Sequence, residues 1–62
     1  MTEKQEREAL ELVGALGALV AYPKIAKLVR KSLLARADKL LRSVDGTTKN
    51  ELAIARANLK EI

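Results

Sequence analysis

The chain has no cysteine and no histidine. The first absence removes disulfides and thiolate ligands, and it fits a reducing compartment. The second removes the commonest metal ligand and the commonest general base. Tryptophan and phenylalanine are also missing, which leaves Tyr22 as the only aromatic residue. Stacking on unpaired bases has little to work with. No apolar run reaches the ~20 residues that a membrane span needs. The longest, Leu12 to Tyr22, is bounded by Glu11 and by Lys24 after a proline. Thr2 to Glu8 is of mixed charge, unlike the basic-then-apolar opening of a secretory signal. These features predict a soluble intracellular protein with no membrane span.

Catalysis also lacks its usual parts. Ser32 and Ser43 have no histidine to activate them. Gly14 and Gly17 lack the preceding strand and the following Lys-Ser or Lys-Thr of a phosphate loop. Glu3, Glu6, Glu8 and Glu11 crowd one helix end. They are read as a solvated end, and the Glu8 and Glu11 pair is not read as a carboxylate metal site. The expectation is a protein that is not an enzyme and needs neither cofactor nor metal.

What is present is helical. The 62 residues form one domain, and a chain this short buries only about 60% of its unfolded surface. With disulfides and the usual metal ligands removed, oligomerisation or docking on a larger protein is the remaining staple. Helices are predicted over about 2–21, 23–43 and 48–61. Thr2 with Gln5 fits a capping box, and Glu3 with Arg7 and Lys4 with Glu8 are opposite charges one turn apart. From Leu12 onward the first helix is apolar all round, a pattern that predicts burial all round. Gly14 and Gly17 each cost a helix interior about 1 kcal/mol relative to alanine. The reading that offsets this cost is close helix–helix approach, with Gly14 and Ala18, and Gly17 and Ala21, as small residues four apart.

Tyr22-Pro23 breaks the first helix and opens the second. Ile25, Val29, Leu33, Ala37, Leu40 and Val44 recur every three or four residues as its apolar stripe. Asp45-Gly46 signals a turn, and Lys39 and Arg42 suit the negative end of the helix dipole before it. Thr48 with Glu51 fits a second capping box. Leu52, Ala55, Leu59 and Ile62 then form a narrow seam. A loop this short makes the second and third helices antiparallel neighbours. The predicted fold is all-α: an antiparallel helical hairpin with an additional N-terminal helix, oligomeric or docked in an assembly. The predicted protein interface is Leu12, Leu16, Leu19 and Val20.

The second helix carries seven bases, Lys24, Lys27, Arg30, Lys31, Arg36, Lys39 and Arg42, against the single acid Asp38. Residues 1–11 carry four acids and two bases, and residues 45–62 carry three of each. Three readings of the basic face made by Lys24, Lys27, Lys31, Lys39 and Arg42 stand side by side. It is solvated, or it meets an acidic protein surface, the acidic first helix of a second copy included, or it binds nucleic acid through phosphates. The function expected is a non-enzymatic interaction or structural component. The alternative is a small nucleic-acid-binding protein using residues 23–44.

Three segments carry a family resemblance: Ala21-Tyr22-Pro23, Val44-Asp45-Gly46, and Glu51-Leu52-Ala53-Ile54-Ala55-Arg56-Ala57-Asn58-Leu59. In this order they resemble short helical-hairpin proteins encoded among tailed-bacteriophage structural and packaging genes. The likeness spans Leu12 to Ile62. The chain departs from it in the Gly14 to Gly17 segment and in a more basic second helix. The resemblance implies a bacteriophage protein without enzymatic activity, a virion or assembly component located in the host cytoplasm or the virion. It supplies no catalytic or ligand residues.

The hairpin register makes a direct prediction. Leu33, Leu40, Leu52 and Leu59 should be buried together, and Leu40→Ala should then cost about 2–5 kcal/mol in urea denaturation. A loss below about 0.5 kcal/mol would place Leu40 on the surface.

Overall fold

Pro23 has no backbone N–H to donate and disfavours helix at the residue before it, and the chain breaks there. The structure, a computed structural model, describes residues 3–62. Helix α1 is Glu3–Leu19, α2 is Pro23–Leu41 and α3 is Gly46–Lys60. No strand occurs among the described residues. The Thr2–Gln5 capping box depends on Thr2, which lies outside them.

The first corner is tight. The Ala21 N–H donates to the Ala18 carbonyl at 3.2 Å and the Tyr22 N–H to the Leu19 carbonyl at 2.9 Å. Such i to i+3 bonds satisfy the last carbonyls of α1. Tyr22 then leaves helical geometry (φ −129°, ψ 68°) and accepts the Ala26 N–H at 2.9 Å, which closes the first turn of α2. Pro23 sits where its missing donor leaves no bond unmade.

The second corner turns on Val44 and Gly46. Val44 donates its N–H to the Leu40 carbonyl at 3.1 Å, and its side chain is only 1% exposed. Val44 therefore still ends the apolar stripe, although α2 stops at Leu41. Asp45 is extended, and Gly46 has φ +65°, a left-handed conformation that glycine adopts without penalty. The turn falls where Asp45-Gly46 predicts it. The second capping box does not form: α3 begins at Gly46, so Thr48 lies inside the helix rather than before it. Its hydroxyl instead donates to Glu6 Oε1 at 3.3 Å, from a site only 8% exposed.

That bond reports the topology. It places the start of α3 beside the start of α1, so the two run parallel. The four residues 42–45 turn α3 antiparallel to α2. Each helix packs on the other two, and the expected hairpin closes into an up-down-up three-helix bundle. The radius of gyration is 10.9 Å, against about 10.6 Å expected for a folded chain of this length. A surface link joins α2 to α3, where Arg56 Nε donates to Asp38 Oδ1 at 2.5 Å. Glu3 and Arg7 form the expected exposed pair at 4.0 Å.

The core is built from leucine and alanine. Leu12, Leu16, Leu40, Leu52 and Leu59 are buried with Val44 and with Ala9, Ala26, Ala37 and Ala55. Leu33 and Ile62 are partly buried against them. Leu40, Leu52 and Leu59 thus share one core, as the register predicts. The stripe of α2 is rotated at its N-terminal half, where Ala26 is fully buried while Ile25 and Val29 face out. An alanine contact lets helices approach closely, and branched side chains are left at the rim. The expectation of burial all round α1 is also corrected. Gly14, Ala15, Gly17, Ala18, Val20 and Ala21 are exposed, because two neighbouring helices cover only part of a third.

The close-approach reading of the glycines fails within the chain. A Cβ added at Gly14 or Gly17 would meet nothing within 4 Å. Gly14→Ala and Gly17→Ala should each stabilise the chain by about 1 kcal/mol. Gly46→Ala has the same open space but a left-handed φ, and should destabilise by about 1–2 kcal/mol. Chemical denaturation of the three variants checks the opposite signs.

Candidate functional site

Folding divides the expected interface residues. Leu12 and Leu16 are 5% and 1% exposed and belong to the chain's own core. Leu19 is partly buried against that core. Val20, at the end of α1, remains 53% exposed. The physical reason is that the bundle closes: α3 packs on the α1 face that a lone hairpin would have left bare.

What remains open is a groove of about 330 Å³ between α1 and α3. Val13, Gly17 and Val20 line it from α1, and Glu51, Ile54 and Asn58 from α3, with the core residues Leu16 and Ala55 also reaching it. Ile54 is 63% exposed. The groove is apolar except for one carboxylate and one amide, and no side chain among the described residues fills it. In a three-helix bundle it lies on the side away from α2.

The basic residues fall into two groups. Lys39 lines a cleft with Lys4, Gln5, Glu8 and Arg36, and Arg36 lines another with Glu8 and Glu11. Because α1 and α2 are antiparallel, the acids at the start of α1 come beside the bases at the end of α2. Lys24, Lys27 and Lys31 lie on the exposed N-terminal half of α2, away from those acids. Arg42 follows the last residue of α2 and is exposed. The five residues of the predicted basic face are all exposed, with Lys39 beside the acidic start of α1 and Lys24, Lys27 and Lys31 at the other end of α2.

Tyr22, Ile25, Leu28 and Ile54 are exposed apolar residues absent from the predicted interface. Leu28 had a visible signal, since it lies among lysines opposite the apolar stripe. Ile25 did not, because its spacing matches the stripe. Among the described residues, no group of three or more Asp or Glu side chains comes together as a metal site. No known protein-family model, curated protein or solved structure matches the chain.

Burial now separates neighbours on α1. Leu16→Ala should cost about 2–5 kcal/mol, whereas Val20→Ser should stay within about 0.5 kcal/mol. Thermal unfolding of the two variants followed by circular dichroism tests this, and a similar loss in both would place Val20 in the core.

Proposed function

We propose that this chain is a non-enzymatic helical component that works through protein contacts, by self-association or by docking in a larger assembly. The observation that carries this reading is the α1–α3 groove, where Val20 and Ile54 stay exposed beside the apolar floor. Large exposed apolar surfaces usually mark interaction sites. A bundle of 62 residues also gains stability in proportion to whatever further surface it covers. Gly17 adds to the case. It weakens α1 and meets no side chain within its own chain, but it leaves the groove shallow enough for another backbone to come close. A tailed-bacteriophage virion or assembly complex is the setting that the motif resemblance implies.

The alternative is nucleic acid on the basic helix. It is supported by the exposure of Lys24, Lys27, Lys31, Lys39 and Arg42. It is opposed by Lys39 lying in a cleft with Glu8, and by the apolar Leu28 and Ala35 interleaved with the bases.

Sedimentation equilibrium over a range of concentrations tests the groove. A species above 6.8 kDa is expected, reduced to monomer by Val20→Lys combined with Ile54→Lys. Both positions are exposed, so helicity should be kept. A parent chain that stays at monomer mass throughout, or an oligomer indifferent to the double change, would remove the groove as a self-association surface.

A further inference from the structure

The outward face of α2 combines two properties that neither the fold nor the α1–α3 groove uses. At 3.6 residues per turn, Lys24, Leu28 and Lys31 lie within about 60° of arc, opposite the buried Ala26, Ala37 and Leu40. Leu28 is 85% exposed, the largest exposure of any large apolar residue among the described residues. Ile25 and Tyr22 extend the apolar surface towards the α1–α2 corner, at 53% and 59% exposed. Along the stretch of chain that carries them the charge has a single sign. Residues 12–37 contain five bases and no acid. The flanking acids are engaged elsewhere: Glu11 lines the cleft with Arg36, and Asp38 accepts from Arg56.

We propose that Tyr22 to Lys31 is a docking surface for an anionic lipid bilayer. Leu28, Ile25 and Tyr22 enter the boundary between headgroups and acyl chains. Lys24, Lys27 and Lys31 stay at the level of the lipid phosphates. Charge complementarity selects the sign of the partner, and the apolar residues select its kind. A bilayer accepts a convex apolar projection without a preformed pocket, and it rewards flanking lysines with electrostatic attraction. Lysine stems lie along apolar surface while their ammonium groups stay in water, and tyrosine favours the membrane–water boundary. Nucleic acid would engage the same lysines but leave Leu28 and Ile25 in water. No helix among the described residues is long and apolar enough to cross a membrane, so α2 lies on the surface and stays packed in its bundle. The proposal is independent of the α1–α3 groove.

The test is co-sedimentation with vesicles of phosphatidylcholine alone and of phosphatidylcholine mixed with phosphatidylglycerol. Binding is expected only to the mixed vesicles. Each of Lys24→Gln, Lys27→Gln and Lys31→Gln should lower the partition coefficient about fivefold. Leu28→Ser should lower it about tenfold with helicity unchanged, since Leu28 contributes nothing to the core. Tyr22 is the only fluorophore, so quenching of its emission by lipids brominated on the acyl chain should accompany binding. No binding to the mixed vesicles at low salt would overturn the proposal. So would Leu28→Ser binding as well as the parent, which would reduce the contact to charge alone. Tighter binding to duplex DNA than to the mixed vesicles at physiological salt would assign the face to nucleic acid instead.

Discussion

Four alanines set how closely the helices of this protein approach one another. Ala9, Ala26 and Ala37 are fully buried and Ala55 nearly so, with at least one on every helix. The distance between packed helices follows the size of the side chains at the contact. Small contacts draw the axes together, and leucines at 12, 16, 40, 52 and 59 fill the space between them. The consequence is a narrow bundle, 33 × 17 × 16 Å. A narrow bundle has little interior, and the branched residues Ile25, Val29, Val20 and Ile54 are left at its surface. The exposed apolar residues are thus the counterpart of the alanine contacts in the core.

The parts of the fold written in local chemistry were legible in the sequence. Pro23 and the Asp45-Gly46 pair fix both corners because each acts on its own backbone. The α3 seam was legible because Leu52, Ala55 and Leu59 form a stripe with no competing large apolar residue except Ile54. The N-terminal half of α2 was misread because Ile25 and Ala26 are adjacent, and hydropathy favours the larger one. Which of them turns inward depends on how near the neighbouring helix lies, and single-chain periodicity carries no such information. Leu12 and Leu16 were recognised as needing cover. The sequence did not tell whether α3 or another molecule supplies it. Thr48 follows the same pattern: its type and spacing suit a cap, and only the approach of Glu6 from α1 redirects its hydroxyl.

Charge is sorted by the topology as well as by the sequence. Acids cluster at the start of α1 and bases along α2. Antiparallel packing brings the start of α1 beside the end of α2, so Arg36 and Lys39 share clefts with Glu8 and Glu11. Interactions between exposed charges fade beyond a Debye length of about 8 Å at physiological ionic strength. Compensation therefore stays local and does not reach the other end of α2. The same +4 net charge is felt as near neutrality at one end of the bundle and as a strongly cationic surface at the other.

These two sorting effects coincide on the outward face of α2 but not in the α1–α3 groove. The residues excluded by the alanine contacts face outward near the α1–α2 corner and along the α1–α3 groove. The uncompensated lysines occupy only the first of these places. The groove keeps one carboxylate, Glu51, and one amide, Asn58, as its polar partners, a composition suited to another apolar helix surface. The α2 face pairs apolar side chains with cations, a composition suited to an anionic boundary. A partner that matched one would be a poor match for the other, because the lysines around Leu28 would have to be desolvated against an apolar surface. The bundle therefore presents two chemically different sides, the α1–α3 groove and the outward face of α2.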